Sequence, residues 1–159
     1  MNNDNEFYLA DAIDVIEEIL AGGGEFRLYP KGTSMLPLIV QGRDSVVLKR
    51  VPTSSVRRYD IAFYRRKNGQ FVLHRIMKIG KDGTFTMCGD NQTALEPGIG
   101  PSQLIACVDR IYKGDDELSE RSFSQRMYRI FWMKMPVRRA IRFVQRVFRR
   151  LGRCLKKKK

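Results

Sequence analysis

The chain has 159 residues, of which 43% are apolar and 30% charged, and its formal net charge is +13. A chain of this length and apolar content can bury one sizeable core, which excludes wholesale disorder. It has no run of about 18 uncharged apolar residues, so we expect no helix that spans a membrane.

The first predicted element is an amphipathic helix over residues 7–20. Apolar residues recur there at helical spacing, at Leu9, Ala12, Ile13, Ile16, Ile19 and Leu20. The glycines at 22–24 should end the helix. The stretch is acidic and has no basic n-region, so we do not expect a secretory signal. We assign residues 1–23 to this helical segment.

The next ninety residues are predicted to be mainly β. Short runs rich in valine, isoleucine, aromatic residues and threonine alternate with turn motifs such as KNG and KDG. The runs are FRLYP, SVVLKRV, DIAFYRR, FVLHRIMKI, TFTMC and LIACVDRIYKG. Short antiparallel strands joined largely by hairpins would produce this pattern, and we assign residues 24–114 to one β domain.

The C-terminal segment, residues 115–159, returns to a helical period and is strongly basic. Residues 121–159, here called the basic tail, hold 15 of the 30 basic residues and no acidic one. The other 120 residues then carry 15 basic residues against 17 acidic ones, a net charge of −2. The chain is therefore predicted to be a near-neutral domain with a basic helical tail, which Pro136 should break or kink.

A candidate nucleophile and base lie in the β region. Ser34 belongs to GTSMLPLIV, residues 32–40, and a serine hydroxyl becomes a good nucleophile when a base takes its proton. The only histidine of the chain, His74, lies in the predicted strand FVLHRI. Either residue alone is more often structural, so the prediction depends on both.

The turn CGDNQ, residues 88–92, offers a third group. Gly-Asp-Asn by itself indicates a plain hairpin turn. Asp90 could instead orient His74 through its second ring nitrogen, as the third member of a catalytic triad does. Glu96, six residues further on, could do the same. The sequence leaves the choice between Asp90 and Glu96 open.

Taken in order, GTSMLPLIVQGRDSVVL, RRYDIAFYRR, FVLHRI and FTMCGDNQ resemble the superfamily of type I signal peptidases and LexA-type serine peptidases. Its hallmark is a Ser-Met-x-Pro box on a β-rich fold, and YDIAF occupies the place of its GDIVVF strand. The likeness covers residues 26–114. The His-Arg pair is similar to the archaeal, endoplasmic-reticulum and spore-former signal peptidases, whereas other branches have a lysine base. Cys88 replaces the lysine of that branch's Lys-Gly-Asp-Asn turn.

The resemblance implies a serine endopeptidase in which Ser34 is the nucleophile and His74 the general base. It places Asp90 in the acidic turn and Glu96 near a further functional acid of that branch. His74 must be neutral to accept a proton, so activity should fall as the pH drops through about 6.5.

The same resemblance suggests which groups contact the substrate. The amides of Gly32 and Ser34 are candidates for the oxyanion hole, because a glycine lets a substrate approach the backbone closely. The family's pockets accept small side chains before the cut, and we expect Met35, Leu36 and Phe63 to line them.

The basic tail is predicted to bind an anionic membrane surface. After Pro136, apolar residues form one continuous helical stripe and arginines take most other positions, which is typical of interfacial helices. Binding to nucleic acid and packing on the β domain are the alternatives, and the apolar stripe makes nucleic acid unlikely as the partner. The residues expected at the membrane are Trp132, Arg142, Val144, Phe148 and Arg149.

Together these features predict a peptidase that cleaves a leader or signal peptide from a precursor. Signal peptidases carry a transmembrane anchor and this sequence predicts none, so we expect a cytoplasmic protein peripherally associated with the membrane. Cys88, Cys107 and Cys154 have no metal-ligand spacing, and their odd number favours a reducing compartment. We expect no metal and no cofactor. A self-cleaving LexA-like regulator and a non-catalytic peptidase-fold module remain alternatives, and the oligomeric state is left open.

Overall fold

The computed structural model describes residues 4–119 and Tyr128, with side chains from Ala12 to Leu118 and at Tyr128. One helix, α1 (Asp4–Ala21), precedes eight strands. The strands are β1 (Glu25–Leu28), β2 (Asp44–Lys49), β3 (Ile61–Arg65), β4 (Phe71–Ile79), β5 (Phe85–Cys88), β6 (Glu96–Ile99), β7 (Leu104–Lys113) and β8 (Asp116–Ser119). Short 3-10 helices occupy Thr53–Ser55 and Pro101–Gln103. The predicted mainly β fold class is confirmed.

The eight strands form one antiparallel sheet in the order β1-β2-β7-β3-β4-β5-β6, and β8 pairs with β7. The six apolar runs in the sequence correspond to β1–β5 and β7. The sequence did not predict β6 or β8. Because β8 lies within residues 115–159, the assignment of that whole segment to a helical tail is wrong at its start, and the sheet continues to Ser119.

Both faces of the central sheet are buried. Alternate residues of a strand point to opposite faces, and on β3 Ile61 and Phe63 join one apolar cluster while Ala62 and Tyr64 join another. The first cluster, here called the helix-side core, also contains residues of α1 and of the loop after β1. Burial on both faces explains why these strands read as nearly continuous apolar runs.

The helix covers the helix-side core with the face that the sequence indicates. Ile13, Ile16 and Leu20 are 6%, 2% and 1% exposed. Ile19, which the spacing also assigned to the apolar face, is 42% exposed, because it lies at the edge of the buried stripe. Among the described residues, no helix is both long and apolar enough to cross a membrane.

Candidate active site

Ser34 lies in the loop between β1 and β2, residues 29–43, which we call the serine loop. Its apolar residues Met35, Leu38 and Ile39 are 4%, 5% and 2% exposed and pack into the helix-side core. The amide of Ile39 donates to the carbonyl of Met35 at 3.0 Å. The apolar residues that follow Ser34 therefore anchor the loop and leave Ser34 half-buried at its surface.

A buried carboxylate secures the far end of the serine loop. Asp44 is 1% exposed and accepts hydrogen bonds from the Val40 amide at 2.8 Å, from Arg43 Nε at 2.6 Å and from Lys113 Nζ at 2.9 Å. Burial alone would raise the pKa of Asp44, but these donors outweigh it and hold the pKa well below its usual range. Lys113 also donates to the Leu38 carbonyl, so the loop is tied to β7.

The Gly-Asp-Asn turn is docked against the serine loop. The Asn91 amide donates to the Ser34 carbonyl at 2.7 Å, and Asn91 Nδ2 donates to the Thr33 carbonyl at 3.0 Å. A Cβ atom on Gly89 would lie 2.6 Å from the Ser34 carbonyl oxygen. The turn therefore supports the backbone of Ser34, and a glycine is needed there for the two segments to approach.

Asp90 is held by an arginine. Arg75 Nε and Nη2 donate to its two carboxylate oxygens at 2.9 and 2.8 Å, and both residues are 1% exposed. The Tyr128 hydroxyl donates to Asp90 Oδ2 at 3.0 Å. Arg75 also donates to the Tyr59 carbonyl at 2.7 Å. This geometry makes Asp90 an anchor of the turn, with Arg75 and Tyr128 as hydrogen-bond partners.

His74 lies in the middle of β4, directly opposite Ala62 of β3. Its side chain shares a sheet face with Tyr64, two residues along β3 from Ala62. His74 is 3% exposed, and its Nδ1 lies 3.3 Å from the Tyr64 hydroxyl oxygen. Burial and the positive charge of Arg66 lower the pKa of His74 to about 4, against the opposing effects of Glu96 and Asp90. The ring is therefore neutral at physiological pH.

Glu96 reaches His74 through Tyr64. The Tyr64 hydroxyl donates to Glu96 Oε2 at 2.7 Å, and Arg66 donates to Glu96 from Nε at 2.7 Å and from Nη2 at 2.6 Å. The hydrogen bonds from Arg66 lower the pKa of Glu96, and burial together with the bond to Glu96 raises that of Tyr64. Of the two acids left open by the sequence, Glu96 is linked to the histidine through the Tyr64 hydroxyl, and the charge of Asp90 also acts on the ring.

Ser34 and His74 line the same cavity. Its volume is about 240 Å³, and its wall includes Gly32, Met35, Ile39, Arg66, Gln70, Phe71, Leu73 and Gln92. A second, more open cavity shares Arg66, His74 and Gln92 with the first and continues along residues 93–97. Within the described residues, no hydrogen bond joins Ser34 to His74. Such bonds are often long in a free enzyme and shorten when substrate binds.

The two candidate oxyanion donors differ in their present partners. The Gly32 amide donates to Gln41 Oε1 at 2.7 Å, and Gly32 has a φ of 91°. It would have to release Gln41 before it could bind an oxyanion. The Ser34 amide has no acceptor among the residues that the structure describes, so it could bind an oxyanion without first losing a hydrogen bond.

The three predicted substrate contacts have different surroundings. Met35 is buried but forms part of the cavity wall. Leu36 is half-buried and is not among the residues that line the cavity. Phe63 is 2% exposed and stacks on Phe71 at 5.8 Å between ring centroids. Phe71, which the sequence did not single out, is the aromatic residue that reaches the cavity.

Tyr64, Arg66 and Gln92 are further site residues that sequence reasoning missed. Alternation along β3 places Tyr64 on the face of Ala62, but only the register between β3 and β4 brings that face to His74. Arg66 and Gln92 have no pattern in the sequence that separates them from ordinary surface residues.

No protein-family model, curated protein or solved structure matches this chain. In the described part of the chain, no group of three or more histidine, cysteine, aspartate or glutamate side chains could hold a metal ion. The predicted membrane contacts, Trp132, Arg142, Val144, Phe148 and Arg149, lie outside the described residues.

Proposed function

We propose that the protein is a serine endopeptidase of the signal-peptidase-like type, with Ser34 as nucleophile and His74 as general base. The observation that carries this proposal is the cavity of about 240 Å³ lined by both residues. A loop serine and the chain's only histidine, 40 positions apart, come to one cavity wall. A purely structural role for each would not require them to meet there.

The charge state of the pair suits the chemistry. A general base must be unprotonated, and burial keeps His74 neutral with a pKa of about 4. As Ser34 Oγ attacks the scissile carbonyl carbon, its proton passes to His74 and the carbonyl oxygen becomes an oxyanion near the Ser34 amide. Collapse breaks the C–N bond, and the leaving amine takes the proton from His74.

The second half of the reaction releases the acyl group. A water molecule gives a proton to His74 and attacks the ester carbonyl of acyl-Ser34. The ester C–O bond then breaks, and the proton returns from His74 to Ser34 Oγ. The sum is hydrolysis of one peptide bond, and it needs no cofactor.

The substrate would be an extended precursor peptide. The apolar wall formed by Met35, Ile39, Phe71 and Leu73 suits the side chains before the cut. We also propose that the basic tail brings the enzyme to an anionic membrane surface, since its sequence combines an apolar stripe with arginines at most other positions. A leader or signal peptide presented at that surface is the proposed substrate class.

Digestion of a peptide library of defined sequences, followed by mass spectrometry, tests this function even though the natural substrate is unidentified. We expect the wild-type protein to cut a subset of peptides at a consistent motif and Ser34→Ala to cut none. Ser54→Ala is the matched control, because Ser54 is an exposed serine in the Thr53–Ser55 helix. Equal cleavage by Ser34→Ala and the wild-type protein would reject the proposal.

A further inference from the structure

The Tyr64 hydroxyl has one hydrogen and two neighbours that could accept it, Glu96 and His74, while Arg66, which also interacts with the phenol, can only donate. Its oxygen lies 2.7 Å from Glu96 Oε2 and 3.3 Å from His74 Nδ1. Two bonds from Arg66 keep Glu96 ionised, so both of its oxygens can only accept. The Tyr64 hydrogen therefore goes to Glu96, and the phenol presents its lone pairs to the histidine ring.

That arrangement determines which ring nitrogen holds the proton. A neutral imidazole has one N–H and one bare nitrogen, and the hydrogen bond made by one nitrogen decides the state of the other. An unprotonated Nδ1 would face the Tyr64 oxygen lone pair to lone pair at 3.3 Å. A hydrogen on Nδ1 turns the same contact into a hydrogen bond and leaves Nε2 free to accept a proton.

We propose that Tyr64, itself oriented by Glu96, is a positioning residue that holds the proton of neutral His74 on Nδ1 and presents Nε2 as the base. The catalytic consequence rests on the proposed function, whereas the tautomer does not. Tyr64 thus occupies the place that a carboxylate takes in a Ser-His-Asp triad. Glu96 orients His74 through its hydrogen bond with Tyr64.

A neutral phenol in this position has a different effect from a carboxylate. A carboxylate in contact with the ring would stabilise the imidazolium and raise the pKa of His74. Here the phenol orients the ring, and Arg66, whose positive charge lowers the pKa of His74, is itself paired with Glu96. The remaining charged groups near the ring are Asp90, in the turn after β5, and Arg75, its partner on the opposite face of β4. The result is an oriented base that stays neutral in mildly acidic solution.

Because His74 is the only histidine, ¹⁵N-histidine labelling gives an NMR spectrum of this one ring. At pH 7 we expect Nδ1 to appear protonated and Nε2 unprotonated. In Tyr64→Phe, which keeps the ring in its fully buried place, Nδ1 loses its acceptor and the proton should move wholly or partly to Nε2. Tyr112→Phe is the matched control, since the Tyr112 hydroxyl donates to Glu117 at 2.7 Å on the exposed surface.

The same variants are compared in peptide cleavage. We expect Tyr64→Phe to lower kcat by about 10- to 100-fold with little change in KM. General base catalysis contributes roughly a 10²- to 10⁴-fold rate enhancement, and a misoriented base loses part of it. Ser34→Ala should abolish cleavage and leave the tautomer unchanged. If no variant cleaves but the spectra behave as expected, the proposed function fails and the tautomer assignment stands.

Three results would overturn the inference. The first is a wild-type spectrum with the proton on Nε2, which needs no variant to be folded. The second is a Tyr64→Phe spectrum identical to that of the wild-type protein. The third is a changed tautomer in Tyr64→Phe together with wild-type kcat, which would remove the positioning role.

Discussion

Replacing Gly89 with alanine should displace Ser34, the proposed nucleophile, without changing the Ser34 side chain itself. The added Cβ would lie 2.6 Å from the Ser34 carbonyl oxygen, and ordinary contact begins at 3.4 Å, so the turn and the serine loop must separate by 0.8 Å. Asn91 joins the two segments through hydrogen bonds of 2.7 and 3.0 Å. At about 1 kcal/mol each, weakening both would destabilise the fold by up to about 2 kcal/mol.

Gly89→Ala should affect the rate of peptide cleavage more strongly than the free energy of unfolding. A misplacement of about 1 Å at a reacting group can cost on the order of 100-fold, and the Gly89→Ala displacement approaches that size. We expect kcat/KM to fall by about 30- to 100-fold in a protein that is still folded at 25 °C. Urea unfolding followed by circular dichroism measures the stability, and cleavage of the best library peptide measures the rate.

Gly100→Ala is the control for a new methyl group. Gly100 has a φ of −74°, and a Cβ there would meet its nearest neighbours at 3.6 and 3.9 Å, which is ordinary contact. This variant should match the wild-type protein in both assays. If Gly89→Ala is as stable and as active as Gly100→Ala, the turn does not position Ser34 and the reasoning is wrong.

Three further predictions concern His74, Tyr128 and the basic tail. The pKa of His74 is lowered from 6.5 to about 4 in the folded protein, so the unfolded chain binds the proton first and about 3 kcal/mol of stability should be lost as the pH falls from 6.5 to 4. Glu96 and Asp44, whose pKa values are lowered, add a smaller loss near pH 4 in any variant that keeps them, so the free energy of unfolding should fall by about 3 kcal/mol more in the wild-type protein than in His74→Gln over this range. Tyr128→Phe removes a hydrogen bond to the buried Asp90 carboxylate and should lower the free energy of unfolding by about 1–2 kcal/mol. The full chain should sediment with anionic liposomes even in high salt, because the apolar stripe survives screening, and a Val144→Asp, Phe148→Asp double change should prevent this.

Each of these predictions has an outcome that contradicts it. A free energy of unfolding that changes equally with pH in the wild-type protein and in His74→Gln would mean that His74 is not desolvated as the structure has it; so would an activity profile that falls near pH 6.5, the value expected for an unperturbed histidine. Tyr29→Phe is the control for Tyr128, because Tyr29 is 64% exposed, and equal stabilities of the two variants would reject the contact with Asp90. A full chain that remains in the supernatant at both low and high salt would reject membrane binding. Deleting residues 121–159 is a poorer test, since it also removes Tyr128.

The sequence was sufficient to predict the helix and the strands whose apolar residues recur with a clear period. α1 and six strands were predicted because burial on one or both faces fixes their composition. β6 was missed because its sequence, EPGI, contains a proline and a glycine with a φ of 78°, both unfavourable in strands. β8, DELS, was missed because it is polar, and it pairs with the end of β7 alone.

The site was predictable only in part, for a different reason. The residue types at Ser34, His74 and Glu96 indicate chemistry, and motif order suggested that they belong together. The hydrogen bond that links Glu96 to Tyr64 and the bidentate pair of Asp90 with Arg75 both depend on strand register, which is not local in sequence. Tyr64 lies 10 residues from His74 and 32 from Glu96, so no spacing rule would connect the three.

The central claim is that Ser34 is a nucleophile activated by His74. Incubation with an electrophilic peptide boronate or phosphonate, followed by mass spectrometry of the tryptic peptides, tests it most directly because the reagent reports on the nucleophile itself, whatever the natural substrate is. We predict a covalent adduct on Ser34 in the wild-type protein, no adduct in Ser34→Ala, and labelling slowed by at least about 100-fold in His74→Gln. An adduct on another residue, or labelling of Ser34 at the same rate in His74→Gln, would contradict the account.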